Sequence, residues 1–182
     1  YWGHHHLTCQ NSRNVCAQFR DEINSIFQKT GLLYSLNTDL QVERIVENSP
    51  LTPEVEATIA TVKEPGTLEL LKEAILLHKS PYPTDIRDAT EKIWDAFERL
   101  KTYYTTLNKR DSAAKIVNDM SGGQDDYITL FDTEFNALTK IGNNFRIRHH
   151  ETDKIEITDI RYYDYFFNRC LSLIALAIQY LQ

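Results

Sequence analysis

The segment "TDIRYYDYFFNRCLSLIALAIQYLQ", residues 158–182, constrains the fold more than any other stretch of this chain. Apolar and aromatic side chains recur so densely from Tyr162 to Leu181 that a helix built from them is apolar over most of its surface. Such a helix has to be buried, either at the centre of a bundle or against a second copy of the chain. Its apolar run "LSLIALAIQYL" is too short to cross a bilayer, so a membrane is not an expected partner. Thr158 or Asp159 stands where a helix cap belongs.

The rest of the pattern supplies the helices around it. In "DIRDATEKIWDAFERLKTYYTTL", Ile86, Ala89, Ile93, Ala96, Phe97 and Leu100 form a continuous stripe at helical spacing. Asp111 or Ser112 opens a shorter helix in "RDSAAKIVNDM", and "SGGQDD" reads as an acidic loop. "YITLFDTEFNALTKIG" carries Leu130, Phe131, Phe135, Leu138 and Ile141. Upstream, Val15, Phe19, Ile23, Ile26 and Phe27 mark one face of a helix that Gly31 can end. Leu32, Tyr34 and Leu36, then Leu40 and Val42, alternate around the turn residues Asn37–Asp39, the pattern of a β-hairpin. Thr52 and Pro53 start another helix, and Leu68, Leu71, Ile75 and Leu76 share a side of the next. Pro81 and Pro83 break the chain in "PYPTD", with Thr84 or Asp85 as the following cap. The expected fold is mainly α. An N-terminal helix with a small β-hairpin occupies residues 1–82, and a helical bundle occupies residues 83–182.

With 182 residues, the chain is long enough for a sizeable core. Its net charge of -6 argues against a generally basic surface but leaves room for a local anion-binding cleft. Cys9, Cys16 and Cys170 are too few for a disulfide framework, which fits free thiols in a reducing, cytoplasmic setting. No secretory leader is recognisable. The single methionine, Met120, is internal, so a piece of a longer protein is expected. The run His4–His6 reads as a local feature of the terminus rather than a metal site.

Against that acidic background "NNFRIRHHE", residues 143–151, gathers two arginines and two histidines. If the preceding helix continues through it, Arg146 neighbours His150 and Asn144 neighbours Arg148. A guanidinium can hold a phosphate in a bidentate fork, and an imidazole titrates near neutrality. An amide can orient both. Those parts suit metal-free cleavage of RNA by attack of the ribose 2'-hydroxyl. Arg146, Arg148, His149, His150, Asn143 and Asn144 are the candidate catalytic residues, and Arg146, Arg148, Lys154 and Tyr162 the candidate substrate contacts. No metal or cofactor is expected. Two other readings stand beside this one. The arginines can pair with Glu151 and Asp153 as a surface network, or His149, His150, Glu151 and Asp153 can ligate a metal. The aromatic run Tyr162, Tyr163, Tyr165, Phe166 and Phe167 can stack bases or fill the core, and Lys109 and Arg110 can touch phosphates or solvent. His78 and Cys170 read as a helix-end residue and a buried thiol.

"TEKIWDAFERLKTYY", "TEFNALTKIGNNFRIRHHE" and the final aromatic helix together resemble the HEPN superfamily. More narrowly, the stretch looks like the C-terminal helical domain of bacterial abortive-infection (AbiJ-like) proteins, over about residues 83–182. It implies a bundle of four to five helices, a homodimer that brings two motifs together, and metal-independent RNA cleavage in antiviral defence or a toxin system. RNA is the implied partner, with an antitoxin or a further domain of a longer protein beside it. A catalytically silent module that binds RNA, a nucleotide or a protein is the alternative. The family signature is an arginine, a spacer of four to six residues and a histidine. His149 matches that histidine and Asn143 or Asn144 the polar position, whereas the arginine positions hold Gly142, Asn143 and Asn144. Arg146 and Arg148 are the arginines at hand.

Overall fold

The computed structural model describes residues 9–46, 49–148 and 151–181, and the His4–His6 run lies outside them. The chain is mainly α, 67% helical, with seven helices and one two-stranded hairpin among the described residues. Contacts divide it into two units.

The smaller unit comprises residues up to 47 together with 79–81. It contains α1 (Cys9–Thr30), β1 (Tyr34–Leu36) and β2 (Val42–Arg44). Gly31 ends α1 at φ +70, where a residue with a Cβ would be strained. The strands are antiparallel, with Ser35 opposite Glu43. Asn37 builds the turn, its Oδ1 accepting from the N–H groups of Asp39 and Gln41, each at 2.9 Å. The Asn24 carboxamide acts as a strand partner for Leu36, donating to its C=O at 3.1 Å and accepting its N–H at 2.6 Å. This exchange ties α1 to the hairpin. Sequence periodicity gave α1 one apolar face, but Val15, Phe19 and Ile26 on it are about half exposed. A two-stranded hairpin has too little surface to cover a helix of 22 residues.

The larger unit comprises residues 48–78 and 82–182. α2 (Pro53–Ile59) is capped by Thr52, whose side chain accepts the Val55 N–H, and Pro53 opens its first turn. α3 spans Pro65–His78. Its starting carboxylate, Glu64, accepts from the Gly66 and Thr67 N–H groups and from the Thr67 hydroxyl. Leu71 and Ile75 are buried, but Leu76 is exposed. Ala74 and His78 complete the inner face instead.

α4 (Pro83–Leu100) starts on Pro83 after Tyr82, with no side-chain cap from Thr84 or Asp85. The proline's fixed φ and missing N–H start the helix without one. All six residues of its expected stripe are buried, joined by Thr90 and Trp94. α5 (Lys109–Ser121) is capped by Asn108, one turn ahead of the expected cap, and stops at left-handed Gly122. α6 (Asp125–Asn144) begins on the two aspartates of the acidic stretch, which suit the positive end of a helix. Phe135 and Leu138 are buried in it, whereas Leu130 is exposed.

α7 (Ile160–Tyr180), capped by Asp159, buries ten of its residues against the rest of the unit. It packs on α4, α2 and α5. The apolar excess of this helix is therefore absorbed by the chain's own core. Cys170 lies there, its Sγ 3.6 Å from the Ile93 carbonyl oxygen, and burial pushes the thiol pKa far up. No helix among the described residues is long and apolar enough to cross a membrane.

Two glycines admit side chains from α4. An added Cβ on Gly142 would lie 2.0 Å from Trp94 Nε1, and on Gly66 2.5 Å from the Arg99 guanidinium. The first neighbour is fixed in the core and the second is the end of a flexible chain. Gly142→Ala is expected to cost about 1–3 kcal/mol, with Gly66→Ala nearer neutral; urea unfolding of both variants checks this. Arg99 pairs bidentately with Glu64 at 2.6 and 2.8 Å. That hydrogen bond, with those from Thr67, holds the Glu64 carboxyl far below the usual carboxylate range. A depressed folded-state pKa gives stability that is present above the unfolded value and fades as acid protonates the group. The urea midpoint of Glu64→Gln is therefore expected to lie furthest below that of the parent chain near neutral pH, with the gap starting to narrow below the ordinary glutamate value of about 4.3 and still open at pH ~3.

Candidate functional site

The run "NNFRIRHHE" does not prolong α6. The helix ends at Asn144, and Phe145 leaves it with extended backbone while its N–H still donates to the Ile141 C=O. The next residues form a strap. Phe145 pairs with Ile155 in an isolated parallel bridge, the Asn144 C=O accepting from Ile155 N–H at 2.9 Å and the Ile155 C=O from Arg146 N–H at 2.8 Å. Ile147 and Ile157 sink into the core and pin both limbs. The helical neighbour expected for Asn144, Arg148, is thereby lost, because β-region backbone places successive side chains on opposite sides, and His150, the neighbour expected for Arg146, lies outside the described residues.

Arg148 sits at the centre of the resulting charge arrangement. Its Nε and Nη2 donate to Asp95 Oδ1 at 3.2 and 2.5 Å, and its Nη1 stands 3.7 Å from Glu151 Oε1. Lys154 reaches the same Glu151 oxygen at 2.8 Å and donates to the Gly142 C=O at 3.1 Å. It thus caps the negative end of α6. The hydrogen bond to Asp95 raises the Arg148 pKa against the opposing effect of burial, and the charges of Asp95, Glu151 and Glu91 reinforce it. Sequence reading anticipated Glu151 as an arginine partner and missed Asp95. The available signal was the acidic pair Glu91 and Asp95, four residues apart on one face of α4.

The remaining candidates disperse. Arg146 is half-buried and its positive charge acts on Tyr163, whose phenol is nonetheless raised, chiefly by burial. Asn144 is exposed. Asn143 lines a cleft of ≈ 720 Å³ between α5 and α6, together with Lys109, Arg110, Asn136 and Thr139. Lys109 is drawn to Glu98 at 2.6 Å on the same cleft wall. Tyr162 and Tyr165 are exposed, while Tyr163, Phe166 and Phe167 belong to the core. His149 and His150 lie outside the described residues. Among the described residues no three His, Cys, Asp or Glu side chains converge as a metal site.

His78 is buried at the last position of α3. It stacks on Phe167 with ring centroids 3.7 Å apart, its Nε2 lying 3.2 Å from Asp164 Oδ1. Packing and pairing hold it, and its helix-end position is secondary. Trp94 Nε1 is buried with no hydrogen-bond partner among the described residues, because the indole edge lies against the Gly142 Cα.

Comparison with protein-family models, with curated proteins and with solved structures finds no match to this chain.

Asp95 and Arg148 are expected to be energetically coupled. A double-mutant cycle of Asp95→Ala and Arg148→Ala, read by urea unfolding, should return about 1 kcal/mol, toward the upper range for partly exposed pairs.

Proposed function

We propose that the helices from α4 to α7 form a HEPN-like bundle and that the protein engages single-stranded RNA at the exit of α6. The observation that carries this reading is Arg148, held in a single orientation by Asp95 with its side chain still 28% exposed. A guanidinium fixed in this way loses little conformational freedom when a phosphate comes to share it with Asp95 and Glu151. Asn143, just ahead of the strap, adds the amide- and lysine-lined cleft, and Tyr162 offers an exposed ring for base stacking. Binding of RNA is the reading the geometry favours, and the toxin or antiviral-defence setting belongs to it through the resemblance alone.

Metal-independent cleavage is the second reading. It is favoured by the sequence order, in which His149 and His150 follow directly on Arg148. Against turnover stand Asp95 and Glu151, which offset the charge a scissile phosphate would need. A homodimer and an antitoxin partner belong to this proposal through the resemblance. Because α7 spends its apolar residues inside the chain, a second copy would have to use exposed side chains such as Tyr162 and Tyr165.

Fluorescence anisotropy with labelled single-stranded RNA in excess EDTA tests the proposal. Binding at micromolar concentration is expected, weakened roughly tenfold by Arg148→Ala through the loss of a charge-assisted contact. Undiminished binding by that variant, or none by the parent chain, rejects the α6 exit as the RNA site. In the same mixture, products ending in 2',3'-cyclic phosphate that disappear with His149→Ala would raise the protein from binder to nuclease.

A further inference from the structure

Away from the strap, the connection between α2 and α3, the end of α4 with the residues that follow it, and the end of α7 surround a partly enclosed cavity of ≈ 250 Å³. Its inner wall is apolar, with Leu100, Ile178 and Leu181 buried and Val62 half-buried. Its rim is polar, with Thr61, Lys63, Thr102 and Thr105 exposed. An apolar cavity of about 150 Å³ already accommodates benzene, so this volume has room for a phenyl ring and a carbon or two beyond it.

The polar groups around the rim are unequally engaged. Arg99 donates through Nε and Nη2 to both oxygens of Glu64, at 2.6 and 2.8 Å. Glu64 also accepts from the Thr67 hydroxyl and from two backbone N–H groups, so its oxygens are fully occupied. Thr61 donates to the Thr58 C=O and Thr102 to the Arg99 C=O, each at 2.7 Å, and the Tyr103 phenol donates to the Leu181 C=O. Lys63 and Thr105 differ from all of these, because neither side chain has a partner among the described residues. Lys63 and Arg99 stand against Glu64 alone among the charged residues of the lining, which leaves one positive charge in excess.

We propose that this cavity binds a small monocarboxylic acid with a ring-sized apolar body, the carboxylate received by the Lys63 ammonium and the Thr105 hydroxyl and the body lying against Leu100, Ile178 and Leu181. The apolar wall supplies affinity for the body, and the unbalanced charge at the rim selects the head. A head with one negative charge matches the single positive excess, whereas the second charge of a phosphate would face Glu64 uncompensated. The four hydroxyls already donating to the protein have no proton left for the ligand, so the head is placed at Lys63 and Thr105 rather than deeper in the cavity. The site is separate from RNA engagement at the α6 exit, because none of its residues belongs to the strap.

Phenylacetate, phenylacetamide, phenethylamine and acetate make the test. The first three share a ring and differ in the charge of the head, and acetate keeps the head without the ring. In an amide NMR titration of the full chain, phenylacetate should shift the signals of the cavity lining and saturate them at about millimolar concentration. It should bind roughly fivefold more tightly than phenylacetamide, the scale of one partly exposed ion pair, and phenethylamine should bind more weakly than either. Acetate should produce no saturable shift over the same range. Lys63→Gln, at an exposed position, should erase the preference for acid over amide while leaving amide binding in place, and Lys63→Arg should keep the preference. Equal affinity of the parent chain for acid and amide, or a preference that survives Lys63→Gln, overturns the proposal. So does acetate binding as tightly as phenylacetate, which would mark a surface ion pair only. Shifts confined to residues outside the lining, or no saturable shift up to the solubility limit of phenylacetate, overturn it as well.

Discussion

Trp94 and Asp95, neighbours on α4, together set the geometry of the α6 exit. The Trp94 indole lies on the bare Cα of Gly142 and fixes where the last turn of α6 passes. Asp95 projects beside it and takes the Arg148 guanidinium. One residue locates the helix end by van der Waals contact and the next locates the strap by charge. The arrangement has a cost, because the Trp94 N–H is buried against carbon and finds no partner among the described residues. A core aromatic that size nonetheless buries enough surface to outweigh a single missing hydrogen bond. Glycine at position 142 is thus required for packing, within the helix and not beyond its end.

The strap shows how a locally basic run can exist on an acidic chain. Read along the sequence, residues 146–150 look like a concentration of unspent positive charge. In space, Asp95 and Glu151 take Arg148, and Glu151 and the end of α6 take Lys154. The field at the strap is set by this alternation of signs rather than by a bare patch. Ligand phosphates have to displace or share those carboxylates, which favours modest, salt-sensitive association over a tight electrostatic clamp. The same neutralisation stabilises the strap itself. Ile147 and Ile157 bury at its two ends, so the loop can be fixed without forming a helix or a sheet.

α7 and α1 make a contrast in how apolar residues are used. Both carry apolar residues at helical spacing. α7 meets α4, α2 and α5 and disappears into the core, while Val15, Phe19 and Ile26 of α1 stay exposed beside a hairpin of two short strands. Periodicity states which residues want to be covered. Whether there is enough neighbouring surface to cover them depends on the number of elements that reach the place.

The sequence by itself determined the elements and most of their limits. Pro53 and Pro83 start helices, Gly31 and Gly122 stop them, Asn37 turns the hairpin, and the stripe from Ile86 to Leu100 is the inner face of α4. These features are local: a fixed φ, a permitted left-handed φ, a side chain bonding its own backbone, or a period of 3.6. The candidate site was legible as a list of residues but not as an arrangement. Whether α6 ran on through Arg148 or stopped at Asn144 depended on Ile155 and Ile157 returning to pair and pack. The partner of Arg148 lies 53 residues earlier in the chain. Only tertiary structure decides such matters, because a hydrogen bond or an ion pair depends on distance in space, and spacing along a chain determines that distance only within a few residues.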